Sequence, residues 1–232
     1  MNTSNMNFFN YCLNYFKEQN RVNDLLPMHY VAEGLQLMEK AFHDGRQVFL
    51  IGNGGSASTA SHIACDLQKG TLAYGHGSAF TPSSQTVIAS PVQQQVVYGA
   101  REVANGDRPR QSQPLNNNRR FRVTSLCDNT ELITAWANDS GYEVVFSEQL
   151  KTFAEEGDLL IAISASGNSP NIIRAVDVAK IKGMKVIGLT GFAGGKLREL
   201  ADVPIHVEAK DYGIIENCHL MFGHLATKYL ND

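Results

Sequence analysis

The sequence has no CxxC pair, no apolar run long enough to cross a bilayer and no strong excess of either charge. Its four cysteines, Cys12, Cys65, Cys127 and Cys218, lie far apart in 232 residues. A chain of this size needs no covalent staples, so they are read as reduced thiols rather than a disulfide framework. A formal net charge of -3 leaves no broad positive face, which excludes DNA or RNA as the main ligand. No segment approaches the roughly 18 to 20 apolar residues of a membrane span. The start, MNTSNMNFFNYCLNYFKEQN, is polar and interrupted by Asn and Lys, unlike the apolar centre of a signal peptide. Together with the thiols this predicts a cytoplasmic protein. Nucleotide fingerprints are missing as well. GNGGSA (residues 52–57) lacks the third glycine of GxGxxG, and GxxxxGK[ST] occurs nowhere. No nucleotide cofactor is expected.

What the sequence does have is an apolar fraction of 43%, enough for a sizeable core, arranged as short apolar runs alternating with helical periods. Phe8, Tyr11, Cys12, Tyr15 and Phe16 form one helical stripe, and Val31, Leu35, Met38 and Phe42 form a second within Met28 to Phe42. The runs QVFLIG (47–52), FRVTSL (121–126), DLLIAIS (158–164), MKVIGLT (184–190) and VPIHVE (203–208) read as strands. Between and after them, helices are predicted at 56–67, over ELITAWAND and YEVVFSEQLKTF (142–153), at 171–183, and from about Gly213 to Leu230. Strands that are apolar on both faces and alternate with helices imply an α/β fold with a parallel sheet covered on both sides. Ligands of such sheets sit beyond the carboxyl ends of the strands. From about Leu72 to Asn118 the chain turns to Gln, Asn, Ser, Gly and Pro with no sustained period. This is read as a low-complexity insertion, mostly disordered, with TVIAS and QQVVYG as a possible short hairpin. The domain reading is one domain over 1–232, with N-terminal helices over 6–44 and the insertion at 72–118.

Two loops fall where a ligand should bind. IGNGGSAS (51–58) offers glycines and a helix start, which suits an anion. A plain strand-to-helix turn capped by Ser56 or Ser58 would look the same. SASGNS (164–169) is richer. Ser164, Ser166 and Ser169 stand between a strand end and a helix opened by Pro170, and one cap needs only one hydroxyl. Several hydroxyls and amides together can surround a phosphate without a lysine, so the expected ligand is a small phosphorylated compound. Further on, His62 and Asp66 are four apart and share a helix face, and Glu216, His219 and His224 lie along the last helix. Each could serve acid–base chemistry, or be a surface pair or an interface histidine. Imidazole and carboxylate together suit zinc, although Glu216 and His224 stand eight residues apart, about 12 Å along a helix. Cys65 and Cys218 are read as packing thiols. The apolar last helix suits burial in a helical interface.

The order GNGGSA, SLCDNT, AWANDSGYEVVFSEQL, S-x-SGNS and GMKVIGLTG resembles the sugar isomerase (SIS) phosphosugar-binding domain, most of all its phosphoheptose isomerase branch. It covers nearly the whole chain except residues 72 to 118. The resemblance implies a three-layer α/β/α sandwich with a five-stranded parallel sheet, flavodoxin- or Rossmann-like, assembled as a homotetramer with active sites between subunits. It implies an aldose–ketose isomerase converting sedoheptulose 7-phosphate to D-glycero-D-manno-heptose 7-phosphate or a close phosphosugar. Ser164, Ser166 and Ser169 would hold the phosphate, and Asn53, Gly54, Gly55 and Ser56 the sugar. Asp128 or Asn129 and Glu216 would also touch substrate. Asp66 and His224 would be the acid/base pair, and His62, Asp66, Glu216 and His224 the ligands of one zinc ion per site. Two positions depart from the family's pattern: Asp66 replaces a glutamate and Glu216 a glutamine. The rival reading is a non-catalytic SIS module that binds a phosphosugar or a protein, like the replication-initiator-associated members. An isomerase of altered substrate preference is the third.

Overall fold

A computed structural model of the chain describes residues 3–70 and 120–231. The insertion at 72–118 and its hairpin lie outside the described residues. Helices α1 (Thr3–Asp24) and α2 (Met28–Asp44) lead into β1 (Val48–Ile51) and α3 (Gly55–Gly70). After the insertion come β2 (Val123–Ser125), α4 (Thr130–Ser140), a 3-10 turn (Tyr142–Val144) and α5 (Ser147–Phe153). The chain ends with β3 (Leu159–Ser164), α6 (Pro170–Ile181), β4 (Lys185–Thr190), α7 (Gly195–Leu200), β5 (Val203–His206) and α8 (Tyr212–Tyr229). The single helix expected over 142–153 is two pieces. Val145 and Phe146, wholly buried between them, turn the chain into the core.

The five strands pair in the order β2-β1-β3-β4-β5, all parallel. The central strands are buried along their whole length. The edge strand β5 tolerates Pro204, whose missing N–H would break a ladder elsewhere. Alternation sends Phe49, Ile51, Leu160, Ala162 and Val186 to one face, where they meet Phe146, Leu150, Ile172, Val176 and Leu197 from α5, α6 and α7. Helices α2, α3 and α8 pack on the other side, which completes the three-layer sandwich. The direction of chain progress reverses between β1 and β3. The crevice at their carboxyl ends is therefore the expected ligand position, and it opens between Asn53 and Ser164.

Helices α3 and α8 run side by side in one direction, and this pairing builds the site. Near their starts Gly55 faces the Glu216 carboxylate, and midway Gly223 faces Ile63. At both points a Cβ would overlap its neighbour. We predict that Gly223→Ala forces the helices apart, lowering stability by about 1–3 kcal/mol as overpacking does. The reading is the urea midpoint of unfolding, with turnover falling further than stability because His224 moves with its neighbour.

Candidate active site

A cavity of about 240 Å³ is lined by Asn53, Gly55 and Ser56 after β1, by Ser164, Ser166 and Ser169 after β3, and by Tyr212 and Glu216 of α8. The serines are arranged as donors. The Gly167 N–H gives a hydrogen bond to Ser164 Oγ at 3.2 Å, and the Asn168 N–H to Ser166 Oγ at 3.3 Å. With a backbone amide on its oxygen, Ser166 keeps its O–H for a ligand, and Ser164 shares one hydrogen bond with Ser169, so one O–H of that pair is left as well. Ser169 stands at the N-cap of α6 but makes no capping hydrogen bond; its Oγ lies 3.3 Å from Ser164 Oγ. The surplus of hydroxyls is therefore not spent on the helix. Gly167 holds the turn at φ +67°, and any side chain there would strike the Gly194 carbonyl. Among the described residues no lysine or arginine lines this cup. Its lining of O–H and N–H groups is the chemistry that suits an anion.

Farther along the same two helices is a second cluster. Asp66 Oδ2 lies 3.2 Å from His62 Nε2 and 3.7 Å from His224 Nε2, and the two imidazole nitrogens are 3.3 Å apart. One ligand atom from each falls within 4.8 Å of the others. His62 stands six residues beyond Ser56, about 9 Å down α3. The paired helices thus carry a cup at one end and a titratable cluster farther on. His62 and His224 have side chains about half exposed, at 50% and 54%.

Other candidates are placed elsewhere. Glu216 belongs to the cup and not to the His62, Asp66 and His224 cluster, as eight residues of helical rise require. Gly54 adopts φ +54° beside the cup with open space around it. Asp128 accepts a hydrogen bond from Ser61 next to His62. Asn129 accepts the Leu132 N–H at 2.9 Å as the cap of α4 and lines a different cavity of about 370 Å³. The structure also brings in residues that the sequence reading passed over: Tyr212 in the cup wall, and Asn171 and Tyr142 bonded to Asn53. Cys218 is buried as expected, and burial pushes its thiol pKa up. Cys65, read as a packing thiol, is exposed, since the residue before Asp66 turns away from the α3–α8 contact.

His219 lies on α8 between Glu216 and His224 in sequence but pairs with neither. It is 1% exposed, with Nε2 3.2 Å from the Thr190 carbonyl and Nδ1 without a hydrogen-bond partner. Burial, aided by nearby His206 and opposed by the Thr190 contact, pushes its pKa down from 6.5 to about 4. The folded protein thus keeps His219 neutral while an unfolded chain takes a proton below about pH 6.5. This contribution to stability is whole above pH 6.5 and is lost progressively as pH falls towards 4, by about 3 kcal/mol. Urea unfolding across that window should show the loss, and His219→Gln should flatten it.

The parallel sheet with its ligand cup at the β1/β3 switch point is a phosphosugar-binding architecture, and comparison with known proteins agrees. The family model described as SIS domain matches residues 118–191. The phosphoheptose isomerase of Rhodospirillum rubrum is 30% identical over 212 residues, covering 91% of this chain and 89% of that protein. That of Burkholderia pseudomallei strain K96243 is 35% identical over 181 residues, covering 78% and 70%. Among solved structures, phosphoheptose isomerase from Neisseria gonorrhoeae shares the fold with a TM-score of 0.71 at 23% identity, over 97% of this chain and 98% of that one. The chain belongs to the phosphoheptose isomerase family, and with it to the aldose–ketose phosphosugar isomerases.

Proposed function

We propose that the protein converts sedoheptulose 7-phosphate to D-glycero-D-manno-heptose 7-phosphate. The observation that carries this reading is the serine cup set along α3 and α8 from the His62, Asp66 and His224 cluster. Ser164, Ser166 and Ser169 donate to the phosphate, and Asn53, Ser56 and Glu216 meet the oxygens that follow it. Gly54 and Gly55 keep the backbone low enough for this approach, Asp128 holds Ser61 beside His62, and Asn129, as the cap of α4, lies outside the cup. Isomerisation takes a proton from carbon 1 and moves the electron pair to the oxygen on carbon 2. Carbon 2 then regains a proton, and the proton leaving the carbon 1 hydroxyl is passed to the oxygen on carbon 2, so that carbon 1 becomes the aldehyde and carbon 2 bears a hydroxyl. Asp66 and His224 are the groups for those transfers, because a carboxylate and an imidazole can each take and return a proton.

Two imidazole nitrogens and a carboxylate oxygen are a donor set that zinc accepts. His62, Asp66 and His224 would hold the ion, and Glu216, in the cup, would stay with the substrate. When bound, zinc supplies Lewis-acid polarisation of a substrate oxygen.

We further read the working form as a homotetramer with sites completed between subunits. On α1, Phe8, Tyr11 and Phe16 are 72%, 74% and 64% exposed in the single chain, and Met221 and Leu225 flank His224 on α8, also exposed. Apolar surface of this extent marks an interface. The free thiols suit a cytoplasmic location. Incubating the pure protein with sedoheptulose 7-phosphate, with and without zinc, and following the aldose by NMR tests the activity; no conversion in either condition removes it. Light scattering tests the assembly, where a monomer at working concentration overturns it.

A further inference from the structure

Asn53 lines the cup, and its side chain is almost wholly committed before any ligand arrives. Its Oδ1 accepts from Asn171 Nδ2 at 2.8 Å and from the Tyr142 hydroxyl at 3.0 Å. Its Nδ2 donates to Asn171 Oδ1 at 2.9 Å. The sense of this reciprocal pair is fixed from outside it. The backbone N–H of Ile172, which can only donate, gives to Asn171 Oδ1 at 3.0 Å. Asn171 must therefore turn its NH₂ towards Asn53, and Asn53 must turn its oxygen to receive it. Both acceptor sites of Asn53 Oδ1 are then filled, and one N–H is all that remains for a ligand. Asn171 is 2% exposed at the start of α6, while Tyr142 reaches in from the 3-10 turn after α4. Three separate elements thus converge on one amide.

We propose that Asn171 and Tyr142 are positioning residues that lock Asn53 as an obligate hydrogen-bond donor to a substrate oxygen. This rests on the isomerase reading for its substrate. An amide free to rotate presents its oxygen or its nitrogen with comparable ease. A locked one presents only N–H, and does so without reorganising when negative charge gathers on the oxygen it faces. A phosphate oxygen and the oxygen on carbon 2 share this need for a donor, and kinetics separates them.

The experiment is a double-mutant cycle. Asn53→Asp keeps the shape and replaces the donor with an acceptor, so kcat/KM should fall about 100-fold. Tyr142→Phe, at an exposed site where folding is not at risk, should lower it about threefold to tenfold by loosening the amide. Asn171→Asp should give a larger fall in the same parameter as Asn53→Asp. In the Asn53→Asp background Tyr142→Phe should add nothing, because it acts through Asn53; Asn171→Asp is read only as a single variant, since paired with Asn53→Asp it would set two carboxylates together. A purely structural role would give additive losses, and additivity, or wild-type kinetics for both Tyr142→Phe and Asn171→Asp, overturns the proposal. A loss confined to kcat assigns the donor to the oxygen on carbon 2. A matching loss of inorganic phosphate affinity by calorimetry assigns it to the phosphate. If the wild type does not turn over sedoheptulose 7-phosphate, the isomerase reading fails on its own, and the same cycle read in calorimetric affinity for that sugar phosphate, which carries both oxygens, still decides this inference.

Discussion

Asp66→Asn should lower turnover of sedoheptulose 7-phosphate by about 1,000-fold or more, within the range that general acid–base groups supply, while inorganic phosphate binds as before. The substitution keeps the size of the side chain and its place on α3 but removes the charge and the ability to carry a proton. It also puts a neutral amide in place of the carboxylate that lies 3.2 and 3.7 Å from His62 and His224. All three residues lie beyond the cup, so the phosphate has no reason to respond. Coupled assay or NMR gives the rate, calorimetry gives the phosphate affinity, and metal analysis shows whether zinc retention falls in the same variant. A rate within tenfold of wild type would show that Asp66 neither moves the proton nor holds the group that assists it. The family's glutamate is one methylene longer. If the shorter Asp66 has set the depth at which substrate sits, Asp66→Glu will not raise activity.

The alternation of apolar runs and helical periods made the sheet legible, because each central strand is buried on both faces and so carries an unbroken apolar run. The serine cup was legible for a similar reason: its hydroxyls are contiguous in one loop, more of them than a helix cap can use. Residues that converge from separate elements left no such trace. Tyr142 follows a glycine in a 3-10 turn that the sequence presents as part of a longer helix, and Asn171 looks like any first-turn polar residue. Their meeting with Asn53 depends on how α6 and the segment after α4 sit over β1. The pairing of α3 with α8 was hidden in the same way. Gly55 and Gly223 carry no helical signal of their own, yet their missing side chains let the two helices approach closely. Residue types at helical spacing named His62, Asp66 and His224 as chemistry. The eight residues between Glu216 and His224 already hinted at their separation, and the packed helices assign Glu216 to the cup.

Replacing Ser164, Ser166 and Ser169 together with alanine should abolish measurable binding of the sugar phosphate. Each hydroxyl offers a hydrogen bond to a charged oxygen, worth about 1.5–3 kcal/mol when the partner is ionised, and no lysine or arginine lines the described cup to take over. Even at the low end, with partial compensation by water, the three would weaken affinity by about 1,000-fold. The singles should not be equal. Ser164 is 4% exposed and its Oγ shares the Gly167 N–H with its own carbonyl, which lies closer at 2.9 Å, so Ser164→Ala keeps that donor paired but removes a buried hydroxyl contact and should lower stability modestly as well as affinity. Ser166 is exposed and Ser169 caps nothing with its hydroxyl, so Ser166→Ala and Ser169→Ala should lower affinity with little change in melting temperature. Calorimetry with the phosphorylated sugar and its unphosphorylated counterpart separates the two effects. If both sugars bind alike to the wild type, or the triple variant binds the phosphate as tightly as the parent, the loop is a helix start and no more. The cup would then have to be sought elsewhere on the sheet.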